Sequence, residues 1–189
     1  MNDDTARESI LAAADQLYYA RGIQAVGMDE LRSQAGVSLK KVYSLFPAKE
    51  AIVEQVLRRR NAEWTKGILA FAAQHDDSRG KLLSIYDFLA DWFAQDDFRG
   101  CVFINSFGEL GSSAPSVVAA ARDHKASFQR YVAELADEAG APPGLAPQLV
   151  LLAEGAQTTA AILRNPDVAA QARAAATTLI DAALPRLAA

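Results

Sequence analysis

Cysteine is almost absent from this chain. Cys101 stands alone in 189 residues, which excludes an internal disulfide and any cysteine-based metal site. Histidine is nearly as scarce: His75 and His124 are too few for a histidine-rich metal cluster, and they read as a loop residue and a helix-surface residue. No apolar run approaches the roughly 20 residues that cross a bilayer. The opening Met1-Asn2-Asp3-Asp4 carries the wrong charge for a secretory leader, so the expectation is a cytoplasmic protein with no membrane partner. A positive excess is missing too, since the net charge of −4 is unlike a protein that coats nucleic acid. The chain has no HExxH, no Walker-type Gly-Lys-Ser/Thr loop and no nucleophile motif. It therefore offers no catalytic machinery, no metal site and no cofactor site to read.

What is present is an ordinary globular mix, 51% apolar and 22% charged, long enough to bury a real core. The charge is unevenly spread. Residues 1–60 hold nine Lys/Arg against eight Asp/Glu, net +1; residues 61–189 hold ten against fifteen, net −5. A compact head beside a more acidic body fits a DNA reader joined to a domain with another partner.

The chain reads as helix throughout. Thr5-Ala6-Arg7-Glu8 has the form of a capping box, followed by Ile10, Leu11, Ala14, Leu17 and Tyr18 at helical spacing and a stop at Gly22. Short segments follow over 28–34 and 38–44, and Pro47 opens a long helix with the apolar line Val53, Val56, Leu57, Trp64, Ile68 and Phe71. Residues 74–78 read as a break between two lobes. Further helices are expected over 82–93 and 101–110, from Pro115 to Gly140, over 145–164, and over 167–184 with Pro185 closing the last. No strand and no repeat is visible.

Residues 27–46 are the informative stretch. Two short helices separated by a tight turn at Ala35-Gly36-Val37 make a helix-turn-helix, with Leu31, Val37 and Val42 spaced to form its small core. Ser38 is placed to cap the second helix, which leaves Leu39, Lys40 and Lys41 near the helix end that enters a major groove. Paired lysines there suit phosphates and the acceptors of guanine. The competing interpretation is three short helices packed as a plain bundle. Arg58-Arg59-Arg60 fans around a helix and reads as a solvated face rather than a second DNA contact. Arg32 is balanced between a phosphate contact and plain surface.

Ala35-Gly36-Val37-Ser38, Tyr43-Ser44-Leu45-Phe46 and Lys49-Glu50, in this order and spacing, resemble the N-terminal signature of the TetR family of regulators. The opening helix and Gly22 match as well, so the specific resemblance covers about the first 57 residues. It implies an all-α protein of about nine helices: a three-helix DNA-binding domain, residues 1–50, joined by a long fourth helix to a ligand-binding and dimerisation domain, residues 51–189. It implies a homodimer on a pseudo-palindromic, double-stranded operator, acting most often as a repressor released by a small apolar or amphipathic effector. By the same resemblance Tyr43 is a DNA contact of the recognition helix and Lys49 holds a phosphate. Met28, Leu45 and Arg32 depart from the family's usual Thr, His and small residue, and a phosphate contact by Arg32 would offset part of that loss. The alternative function is a helical interaction module that no longer binds DNA.

The second lobe is rich in aromatics, and Cys101, Asn105 and Glu109 form an i, i+4, i+8 stripe. The stripe either orients a ligand or bonds neighbouring helices. Cys101 has no basic residue directly beside it in sequence and reads as an inert buried thiol. The resemblance places an effector cavity among the fifth to eighth helices, where Trp92, Phe103, Asn105, Phe128 and Gln157 are expected to line it. Leu149, Leu152, Ala156, Thr159 and Leu163 on one helix, with Ala172, Ala176 and Leu179 on the next, form apolar faces rich in small residues. Such faces let helices approach closely, and in the resembled family these two helices pair with those of a second copy. One of them could instead be internal core.

Overall fold

In the computed structural model, which describes residues 2–184, the described residues form nine helices and no strand: α1 (Asp3–Arg21), α2 (Met28–Gln34), α3 (Leu39–Leu45), α4 (Lys49–Ala72), α5 (Ser78–Phe93), α6 (Val102–Leu110), α7 (Pro115–Glu138), α8 (Leu145–Leu163) and α9 (Val168–Ala183). Pro185, expected to close the last helix, lies outside the described residues.

The helix starts follow local capping chemistry, not always at the expected residue. Asn2 caps α1: its Oδ1 accepts from Thr5 N at 2.8 Å, so the helix starts ahead of Thr5 and the Thr5–Glu8 capping box does not form. A short amide acceptor one turn upstream satisfies the free N–H groups first. Pro47 precedes α4 by two residues instead of lying in its first turn. Asp77 caps α5 through Gly80 N at 2.7 Å, which starts that helix at Ser78 rather than Leu82.

Two compact units divide the chain. The first comprises the chain up to Ala62 together with Val102–Asp123; the second comprises Glu63–Cys101 with the chain from His124 onward. The expected DNA-binding domain ends at residue 50. The compact unit is larger: it also takes in α4 as far as Ala62, all of α6 and the start of α7. Residues 74–78, read as the break between lobes, lie within the second unit. In the first unit α1, α2 and α3 pack on one another around Ile10, Leu11, Leu31, Val42 and Phe46, all essentially inaccessible. In the second, α5, α8 and α9 pack on one another over Leu82, Tyr86, Leu89, Leu149, Ala153, Ala176 and Ile180. The Tyr86 hydroxyl is buried there and donates to Leu149 O at 2.8 Å, which meets the need of a buried phenol for a partner. Burial also raises the Tyr86 pKa well above its ordinary value.

Candidate nucleic-acid interface

The recognition element is built by short-range chemistry. Gly36, at φ +66°, makes the turn after α2. Ser38 then takes extended geometry, and its Oγ accepts from Lys41 N at 3.1 Å, capping α3. Val42 faces inward with no exposure, and Phe46 is nearly as buried. The Arg7 guanidinium lies 4.7 Å from the Phe46 ring centroid and donates to Leu45 O at 3.3 Å, so α1 fixes the far end of α3. What α3 turns outward is Ser38, Lys40 and Tyr43, the last 48% exposed. Leu39 is half-buried, and Lys41 is ion-paired with Asp3 at the start of α1. That ammonium holds the Asp3 carboxyl below its usual pKa.

Arg32 and Lys49 are occupied within the protein. Arg32 Nε pairs with Asp29 Oδ1 at 2.9 Å along the exposed side of α2. Lys49, expected on a phosphate, donates to the carbonyls of Ile23 and Val26, both at 2.5 Å, with its nitrogen 5.6 Å from the Tyr18 ring centroid. Burial lowers its pKa, against the opposing fields of Glu109 and Glu50. Two of its three protons are committed inside the unit, so its first task is to hold the turn between α1 and α2. In the arginine run Arg58 is exposed, as a solvated face requires, whereas Arg59 and Arg60 are structural. Arg59 pairs with Glu8, and Arg60 makes a two-point contact with Asp15 at 2.5 and 2.8 Å while lying 4.4 Å from the Tyr19 ring centroid. Both clasp α4 to α1.

Residue by residue, the second-lobe expectations divide. Phe128 and Gln157 are buried and Trp92 half-buried in the second unit, whereas Phe103 is buried in the first unit and Asn105 is exposed there. These five are thus not one cluster within a single unit. Glu109, from the same stripe, is bonded to Gln24. His124, read as a surface residue, is only 4% exposed, its ring 4.9 Å from that of Trp64. Burial drives its pKa down to about 3, with the Lys125 charge acting the same way. Cys101 is buried, as read, but a basic partner comes from α7: Lys125 Nζ lies 3.4 Å from Sγ and 2.5 Å from Glu154 Oε2. That partner was invisible in sequence because 24 positions separate the two.

Residue by residue, the expected dimer face divides as well. Leu149, Ala156, Ala172 and Ala176 are buried in the chain's own core, and Leu152 and Leu179 are half-buried against it. Thr159 and Leu163 are exposed. The outward side of α8 instead runs Leu151, Gly155, Thr159 and Ile162, with Leu151 72% and Ile162 74% exposed. Outward positions of α9 include Ala170, Ala174 and Thr178.

Residues 10–56 match the family model described as bacterial regulatory proteins, tetR family. A solved TetR-family transcriptional regulator from Streptomyces coelicolor superposes with a TM-score of 0.89 at 25% identity, over 95% of this chain and 90% of that one. A TetR-type regulator from Streptomyces avermitilis gives 0.83 at 30% identity, over 94% and 97%. The HTH-type transcriptional activator FasR of Mycolicibacterium smegmatis is 30% identical over 106 residues, a stretch that spans 55% of this chain and only 48% of that protein. Among the described residues no helix is long and apolar enough to cross a membrane. Signature, geometry and full-length superposition agree: the chain belongs to the TetR family of transcriptional regulators and carries that family's helix-turn-helix DNA-binding domain.

Proposed function

We propose that the protein is a ligand-responsive repressor that binds a pseudo-palindromic operator as a homodimer and leaves it when a small apolar or amphipathic effector binds. The observation that carries the DNA half is the outward set Ser38, Lys40 and Tyr43 on a capped, rigidly seated α3. Lys40 supplies charge to a phosphate or a guanine edge, and Tyr43 offers an exposed ring with a hydroxyl donor. Lys41 joins them by exchanging Asp3 for a phosphate. The effector half is supported by an aromatic assembly in the second unit, where Trp64 packs edge-on against Phe88, His124 and Phe128. Trp64 Nε1 and Gln157 Oε1 are buried there without a hydrogen-bonding partner. A ligand group could satisfy such a donor and acceptor within apolar walls. Helix α4 belongs to the first unit at its start and to the second at its end. Effector binding shifts α4 and changes the spacing of the two recognition helices, favouring the DNA-free state by differential affinity. A second reading, activation, is favoured by the activator FasR, and the position of the operator relative to the promoter separates the two.

Nuclease footprinting on the DNA upstream of the protein's own gene, and on duplexes selected from a random pool, tests the proposal across a salt series. A short, twofold-symmetric protected patch that fades with salt is the expected result. The double variant K40A/K41A should bind more weakly, with a salt slope smaller by about one for each phosphate that the lysines no longer neutralise. Unchanged affinity and slope in that variant would remove α3 from the groove.

A further inference from the structure

The turn between α1 and α2 is gripped from two sides, and one grip comes from α6. Gln24 N donates to Glu109 Oε2 at 3.0 Å, and Gln24 Nε2 donates to Glu109 O at 2.5 Å. From the other side Lys49, at the start of α4, holds the carbonyls of Ile23 and Val26. The turn's N–H side is therefore held by a carboxylate and its C=O side by an ammonium. The two charges also feel one another, since Glu109 is the foremost neighbour favouring the charged form of Lys49.

Gly22 shows how closely Glu109 is seated. Its φ of +87° belongs to the region that favours glycine. A side chain there would also meet the Glu109 carboxylate, because a Cβ would lie 2.8 Å from Oε1 and 3.1 Å from both Cδ and Oε2. The turn is thus shaped to admit this carboxylate. The segment matters because it leads directly into α2, and α2 and α3 pack on each other and on α1. A displacement of residues 22–26 reorients the pair that carries Ser38, Lys40 and Tyr43.

We propose that Glu109 is a positioning residue for DNA binding: from the C-terminal turn of α6 it holds the α1–α2 turn and so sets the orientation of the helix-turn-helix. Any displacement of α6 is then felt at the recognition helix through this contact, independently of the path along α4. The contact is charge-assisted, so it is stronger than a neutral amide–carbonyl hydrogen bond and weakens when the carboxylate is removed. This inference rests on the DNA-binding reading above.

The test uses the full-length protein, a duplex recovered by selection from a random pool with the wild type, and the variants E109A and E109Q. Affinity is measured at a temperature where circular dichroism shows each variant folded, and amide hydrogen exchange is followed at Gln24. The expected result for E109A is faster exchange at Gln24 and DNA affinity lower on the order of tenfold, the worth of one charge-assisted hydrogen bond. E109Q keeps a neutral acceptor for Gln24 N and should recover part of that affinity, with exchange at Gln24 between that of E109A and the wild type. Wild-type affinity in folded E109A, or a Gln24 amide no less protected, overturns the proposal while leaving the regulator intact. Failure of the wild type to select any duplex would remove the DNA-binding reading itself, and this proposal with it.

Discussion

The outward face of α8 gives the sharpest test of the proposed dimer. Leu151, Ile162 and Leu163 are 72%, 74% and 64% exposed, an unusual concentration of large aliphatic surface on one helix. Fully burying such a side chain contributes about 1.5–3 kcal/mol. For Ile162, roughly three-quarters of that, about 1–2 kcal/mol, remains to be gained on association. In a twofold interface each residue acts twice, so Ile162→Ala should weaken the dimer by about 2–4 kcal/mol. Ile162→Glu removes the same aliphatic burial and also places two carboxylates against apolar surface. Its cost is on the order of 5 kcal/mol, more than a thousandfold in the dissociation constant. Sedimentation velocity over a protein dilution series reads this directly, with circular dichroism confirming that the exposed substitution leaves the fold intact. The expected result is a dimeric wild type, a weakened Ile162→Ala dimer and a monomeric Ile162→Glu protein that no longer holds its operator. A wild-type monomer throughout the series, or an Ile162→Glu dimer as tight as wild type, would refute the assignment of this face.

Two further predictions concern the interior of the second unit. His124 has its pKa lowered to about 3 by burial and by Lys125, whereas an unfolded chain titrates near 6.5. Protons bind the unfolded chain first as pH falls, so the stability linked to the neutral ring is full above about pH 6.5 and is lost towards pH 3. Between pH 7 and pH 5 the wild type should lose up to about 2 kcal/mol more than His124→Gln in urea melts; parallel profiles would contradict a buried neutral ring. Gly67 lets α4 pass close to α5: a Cβ there would lie 2.5 Å from Phe88 Cε2, and that ring is held by Trp64, Phe71 and Trp92. Gly67→Ala should therefore lower stability by about 1–2 kcal/mol in thermal unfolding, despite the better helix propensity of alanine; an unchanged midpoint would contradict the tight crossing.

The parts of this molecule that were legible in sequence are those whose chemistry is local. The cap from Ser38 to Lys41 spans three positions, the Gly36 turn is a single residue's conformation, and Val42 is placed by helical period alone. The contacts that escaped reading join distant positions: Glu109 to Gln24 across 85 residues, Arg60 to Asp15 across 45 and Lys125 to Cys101 across 24. Arg59 and Arg60 read as solvated surface because nothing in the run shows that α1 presents Glu8 and Asp15 to them. Lys49 matched a family position whose usual partner is outside the protein. The carbonyls that capture it are those of a turn whose path depends on the packing of three helices.

The inner face of α8 is hidden in the sequence for a different reason. Its inward line, Leu149, Ala153, Ala156 and Ala160, and its outward line, Leu151, Gly155, Thr159 and Ile162, are almost equally apolar or small. A helix covered on one side by its own domain normally alternates apolar and charged faces, and the period tells which is which. Here the pattern carries no phase, so small residues on either side could be chosen as the contact surface. The chain's own core covers only the first line and leaves Leu151 and Ile162 exposed. A helix apolar all round is suited to being covered all round. The missing phase in the sequence and the uncovered aliphatic face in the fold are thus one observation, and a second copy of the same face is the partner the dimer reading supplies.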